Sequence, residues 1–110
     1  MDANAQLLAA TDSGDTARAS AAVEAGASLT AALTAGGSNA LQNAAFEGHT
    51  GLCLALIELG APVDARRQDG VNALEIAARN GHTETVQALA TAAAKAKSTA
   101  DSDDSYGRSP

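Results

Sequence analysis

Apolar positions recur along this chain with a fixed spacing. Leu41, Ala44 and Ala45 stand at i, i+3 and i+4, and so do Leu74, Ala77 and Ala78; each set lines one side of a short helix. Both stripes lie inside a longer copied stretch. Asn72-Ala73-Leu74-Glu75-Ile76-Ala77-Ala78-Arg79-Asn80-Gly81-His82-Thr83 follows Asn39-Ala40-Leu41-Gln42-Asn43-Ala44-Ala45-Phe46-Glu47-Gly48-His49-Thr50 by 33 residues. A fainter copy precedes them: Leu7 and Ala10 lead to Gly14-Asp15-Thr16, 34 residues ahead of its counterpart. Gly26-Ala27-x-Leu29-x-Ala31 likewise matches Gly60-Ala61-x-Val63-x-Ala65. Matches at both ends of one period mark a repeat protein.

Each copy predicts two helices and a loop. Asn39 with Gln42, and Asn72 with Glu75, have the form of a capping box. Gly48 and Gly81 stop the first helix as left-handed C-terminal residues. Leu52, Cys53, Ala55, Leu56 and Ile57, then Val86, Ala88 and Leu89, form the buried side of the second helix. In the first copy Asp2 or Asn4 caps a helix reaching about Asp12, and a second runs from about Thr16 to Ala25. Polar Thr11 and Arg18 replace Ala45 and Leu52, which suits the outer face of a terminal repeat. The linker Gly26 to Ser38 carries Gly36-Gly37; its counterpart Gly60 to Val71 carries Pro62 and the turn signal Asp69-Gly70. Ala92-Ala93-Ala94 replaces the stop Leu59-Gly60-Ala61, so the last helix is expected to reach Lys95 or Lys97. Residues 98–110 lack apolar periodicity and read as a disordered acidic tail.

These residues resemble the ankyrin-repeat family. Its Thr-Pro-Leu-His opening appears as Asn39-Ala40-Leu41-Gln42 and Asn72-Ala73-Leu74-Glu75. Its Ala-Ala-x-x-Gly-His run appears as Ala44 to His49 and Ala77 to His82, and its closing Gly-Ala-x-Val as Gly60-Ala61-Pro62-Val63. Neither Thr nor Pro opens these helices, and Arg67 sits where the family commonly has the Asp that begins the turn. The resemblance implies an all-α solenoid of about three helix-turn-helix repeats joined by hairpin loops. The repeats are expected at about 4–36, 37–69 and 70–97, within a domain of residues 1–97. A short stand-alone protein of bacterial type is expected, since the alanine-rich composition suggests a GC-rich source.

Composition narrows the picture. Alanine accounts for 29 of 110 residues, with one Phe and one Tyr, so a core built on aromatics is excluded. Thin faces buried between neighbouring repeats remain possible. The formal charge of −6 argues against a nucleic-acid binder. No apolar run reaches the roughly 18 residues of a membrane span, so no membrane partner is expected. The acidic start Met1-Asp2-Ala3-Asn4 lacks a secretory h-region, and the lone Cys53 fits a reducing compartment. A cytoplasmic monomer is the expectation.

Candidate chemistry is sparse. His49 and His82 occupy one slot a period apart, which points to architecture, and a repeat spacing of roughly 10 Å separates them too far for a shared metal. Cys53 takes the slot of Val86 and reads as a small buried hydrophobe. Glu47, Glu58, Glu75 and Glu84 are spread along the surface, and no phosphate-binding glycine pattern occurs. Neither an enzyme nor a cofactor or metal is expected.

What remains is a surface. The resemblance implies a concave groove lined by hairpin tips and by the exposed side of each first helix. By position this selects Asp12 and Ser13; Ala35, Gly36 and Ser38; Phe46 and Glu47; Arg66, Gln68, Asp69 and Val71; and Arg79 and Asn80. Phe46 lies outside the apolar stripe and is either a hot spot or folded over the neighbouring helix. Arg66, Arg67 and Arg79 either meet a carboxylate-bearing partner or pair locally with Asp64 and Asp69. The implied function is protein binding, as an adaptor or an inhibitor of a partner. The alternative is a secreted bacterial effector aimed at a host or competitor protein.

Overall fold

The computed structural model describes the backbone of residues 2–108 and the side chains of residues 2–95. Six helices follow in order: α1 (Ala3–Ser13), α2 (Thr16–Glu24), α3 (Ala40–Glu47), α4 (Thr50–Glu58), α5 (Ala73–Arg79) and α6 (Thr83–Arg108). They pair as three helical hairpins. The first helices α1, α3 and α5 pack in one row and the second helices α2, α4 and α6 in another. The fold is the expected all-α stack.

Local chemistry sets the helix ends. Asp2 caps α1 by accepting from the Ala5 amide, while Asn4 instead accepts from the Ser28 amide 24 residues on, at 2.8 Å. Asp15 caps α2 in the same manner as Asp2 caps α1. Both expected capping boxes form: the side chains of Asn39 and Asn72 accept from the amides of Gln42 and Glu75, whose own side chains accept in return. Gly48 closes α3 at φ 77°, a left-handed conformation that favours glycine.

The core lies between repeats. Leu7, Ala10, Leu41, Ala44, Ala45, Cys53, Leu56 and Leu89 have no exposed surface. Small alanines let the helices approach closely, so large side chains are not needed at most contacts. The third copy departs from the expected stripe: Ala73, Ile76 and Ala77 are buried, Leu74 is half-buried and Ala78 is exposed. The cause is position, because among the described residues no further repeat lies on that side. Ala55, Ile57, Val86 and Ala88 are also only half-buried.

Two other expectations are corrected. Arg18 is exposed, but Thr11 is fully buried and does not contribute to an outer face. Its hydroxyl donates to the Leu8 carbonyl at 2.8 Å and accepts from Asn43 of the next repeat at 2.8 Å. The last helix passes Lys97 and continues to Arg108, through the segment expected to be disordered. Between Thr83 and Gly107 the sequence has neither glycine nor proline, and alanine favours the continuing helix. The side chains of Lys97 and of the acidic tail lie outside the described residues.

Candidate protein-binding surface

One exposed row of the repeated frame changes its chemical character from copy to copy. Asp12, Phe46 and Arg79 occupy equivalent slots near the ends of α1, α3 and α5, and all three are exposed. Ser13, Glu47 and Asn80 follow them, also exposed. The row therefore presents an acid, an aromatic ring and a base in succession. Phe46 is 50% exposed, a large apolar side chain left half open to solvent.

The backbone beneath that row is held by the next repeat. The His82 ring donates from Nε2 to the Phe46 carbonyl at 2.9 Å, and His49 does the same to the Asp12 carbonyl at 3.1 Å. Because a carbonyl only accepts, the contact places the proton on Nε2. Each ring lies over a glycine of the preceding repeat. A Cβ on Gly48 would come within 2.6 Å of His82 Nδ1, and one on Gly14 within 2.8 Å of His49 Nδ1. Glycine is thus required twice over at Gly48, by its dihedral angle and by the ring above it. The histidines are architectural, as their periodicity implied.

Further polar links fix one repeat on the next. Asn43 donates to Thr11 Oγ1 and to Asp12 Oδ1, both at 2.8 Å. The Thr50 and Thr85 hydroxyls are 2.6 Å apart. Gln42 donates to the Ala65 carbonyl at 2.9 Å and ties α3 to the second hairpin. Among the described residues, no buried side-chain polar atom lacks a partner.

The hairpins supply the rest of the surface. In the second, the Arg67 amide donates to the Val71 carbonyl at 2.9 Å and Arg66 faces Asn72 in an antiparallel bridge. Asp69 substitutes for the missing turn-opening Asp, accepting from the Val71 amide and from the Arg67 guanidinium. The Arg67 hydrogen bond is the main cause that lowers the Asp69 pKa, followed by the Val71 amide. Gln68 and Asp69 are exposed at the tip, as are Ala35 and Gly36 in the first hairpin.

Two residues assigned to the tips lie elsewhere. Ser38 and Val71 are each 5% exposed, and their carbonyls close the two loops by accepting from the Leu33 and Arg67 amides. Ser38 accepts from Arg67 at 3.2 Å, so the two hairpins touch through that pair. The arginine cluster is also divided. Arg67 pairs with Asp69 at 2.8 Å, and Arg66 pairs with Glu75 at 3.2 Å. Arg79 has no ion pair among the described residues.

Comparison with known proteins agrees with this geometry. The family model for ankyrin repeats matches residues 7–102 in three copies. The chain belongs to the ankyrin-repeat family. A probable E3 ubiquitin-protein ligase of rice, XBOS33 of Oryza sativa subsp. japonica, is 39% identical over 85 residues. That match takes in 76% of this chain but only 16% of the rice protein. Ankyrin repeats imply protein–protein interaction.

Sequence reasoning overlooked one surface of the ankyrin domain. A cleft of about 750 Å³ lies between α4 and α6, on the row of second helices. Glu58 and Glu84, expected to be dispersed, both line it. The available signal was Leu54, a large apolar residue at a slot where the other copies have Ser20 and Gln87. Cys53 beside it is buried, and burial pushes its thiol pKa up to about 12.

Proposed function

We propose that this chain is a non-catalytic protein-binding module, an adaptor or an inhibitor, that takes its partner across the groove of α1, α3, α5 and the hairpin tips. The observation that carries the reading is the exposed series Asp12, Phe46 and Arg79 at one equivalent slot of the three repeats. Identical slots serve the stack; a slot that changes from acid to aromatic to base serves something outside it. Phe46 is the apolar anchor, of the residue class enriched in interface hot spots. Arg79 stands ready for a carboxylate of the partner, while Arg66 and Arg67 chiefly shape the hairpin.

A non-catalytic role is supported by the two side chains with the most obvious chemistry. The Cys53 thiol stays protonated in its buried site, and both histidines are committed to backbone carbonyls. Cytoplasmic action is part of the proposal and rests on the single cysteine, free and buried.

Affinity capture from the source cells with wild-type bait, Phe46→Ala and Arg79→Glu tests the groove. The expected result is one or more proteins recovered by the wild type and depleted with both variants. Unchanged recovery by variants with wild-type circular dichroism would remove Phe46 and Arg79 from the interface.

A further inference from the structure

The cleft between α4 and α6 is a separate surface from the groove, built on the other row of helices. Its floor is apolar, with Leu54, Ile57, Val63 and Ala88 among the lining residues. Leu54 is 42% exposed and belongs to the few large apolar side chains left open to solvent. The repeat frame does not require it, because the equivalent positions are Ser20 and Gln87. Glu58 and Glu84 stand at the same cleft, one from each helix, both exposed and without an ion pair among the described residues. Its volume falls within the range of about 300–1,000 Å³ usual for ligand clefts.

We infer that this cleft docks a basic amphipathic helix of a partner protein. Apolar side chains at i, i+3 or i+4 and i+7 of that helix enter between α4 and α6. Lysine or arginine residues flanking them meet Glu58 and Glu84. The chain's formal charge of −6 steers such a segment toward it and disfavours an acidic one. Lys95, also at the cleft, gives it polarity by repelling the cationic segment from its own end of α6. The inference does not depend on the groove proposed above: either surface can be engaged without the other.

Fluorescence anisotropy with a labelled 18-residue leucine–lysine amphipathic helix, and a leucine–glutamate version of the same design, tests it on the full chain. The lysine peptide should bind and the glutamate peptide should not. Glu58→Lys with Glu84→Lys should weaken the lysine peptide by about tenfold or more, as loss of an interface's central charges does. Glu24→Lys with Ala17→Lys and Ala21→Lys makes the same change in net charge at exposed positions of α2, outside both the cleft and the groove, and should alter binding by less than about twofold. Leu54→Gln installs the residue that the third copy already has at this slot; it should weaken binding by about fivefold while leaving the thermal melt unchanged.

Equal losses in the cleft variant and the α2 variant would reduce the effect to bulk charge and overturn the inference. So would absence of binding by the wild type, or equal binding of both peptides. Light scattering provides a further arm: a wild-type dimer that Leu54→Gln converts to monomer would assign the cleft to a second copy of the chain and also overturn it. Failure of the groove variants to lose their captured partner would leave these outcomes unaffected.

Discussion

The middle and last repeats share a sequence but not an environment. Leu41, Ala45 and Cys53 of the middle copy are fully buried. Their counterparts in the last copy are Leu74, half-buried; Ala78, exposed; and Val86, half-buried. Gly48 lies under the His82 ring, whereas none of the described residues stands within 4 Å of a Cβ placed on Gly81. A slot in a stacked protein therefore has no burial of its own; its neighbour provides it. In such quasi-one-dimensional folds, interfaces between repeats carry much of the stability, and the same substitution should cost less at the end than in the middle.

The largest contrast is expected from Leu41→Ala and Leu74→Ala. Removing a buried leucine side chain costs about 2–5 kcal/mol, through lost transfer energy and the cavity left behind. Leu74 has less burial to lose, and its space opens to solvent, so its loss should cost about 1 kcal/mol. Urea denaturation followed by circular dichroism measures both. Equal costs would mean that in solution something covers the last repeat as fully as the last repeat covers the middle one.

Next come the two glycines. Gly81→Ala places a side chain at φ 75°, a left-handed conformation that costs about 1–2 kcal/mol. Gly48→Ala incurs that strain at φ 77° and also a 2.6 Å approach to His82 Nδ1. Overpacking of this kind adds about 1–3 kcal/mol. Replacing His82 with alanine in the Gly48→Ala background should return the excess cost, leaving only backbone strain and the lost hydrogen bond. If Gly48→Ala and Gly81→Ala prove equivalent, the ring does not constrain that glycine.

These contrasts explain what the sequence could and could not disclose. Helix starts were legible because Asn39 with Gln42 and Asn72 with Glu75 satisfy their own local hydrogen bonds. Helix ends at Gly48 and Gly81 were legible for the same reason, since the conformation is local. Burial at Leu74 and Ala78 was not, because periodicity describes a face and not what covers it. Ser38 and Val71 were assigned to the tips by family position, yet closing a hairpin turns both inward. Thr11 looked polar and therefore external, but Asn43, 32 residues away, satisfies its hydroxyl inside the stack. The cleft at Leu54 depends on how α4 and α6 sit together, and only the break in periodicity hinted at it.

The middle copy also holds the group with the largest titration effect. Cys53 has its thiol pKa raised by burial from 9.0 to about 12, while Val86 at the equivalent slot does not titrate. The unfolded chain loses the thiol proton first as pH rises. Stability from the neutral thiol is thus complete below pH 9 and declines as pH moves through the window from 9.0 to about 12. Its contribution falls by up to about 1.4 kcal/mol per pH unit within that window. Relative to Cys53→Ala, the wild type should therefore lose stability more steeply in alkali. Parallel pH profiles would show that the native site tolerates the thiolate. Iodoacetamide at neutral pH should label Cys53 only after denaturation, which reports the same burial independently.

The smallest contrast is at the caps. Asn39→Ala and Asn72→Ala each remove the side-chain oxygen that accepts from the amide three residues later, a loss of about 1 kcal/mol. In the last copy the freed Glu75 amide belongs to an exposed residue, so water can replace the cap. In the middle copy Gln42 is only 2% exposed, and its amide loses its partner where water has little access. An unsatisfied buried donor costs about 1–3 kcal/mol, so Asn39→Ala should exceed Asn72→Ala by about 1 kcal/mol. Restoring an acceptor with Asp at each position should recover most of both losses, because aspartate is as good a cap as asparagine. At position 39 the recovery should be less complete, since the carboxylate is then held in a site only 4% exposed. Equal losses for the two alanine variants, measured by chemical denaturation, would mean that water reaches the middle cap as readily as the last one. The neighbour's cover would then extend to the apolar slots but stop short of the backbone at the helix start.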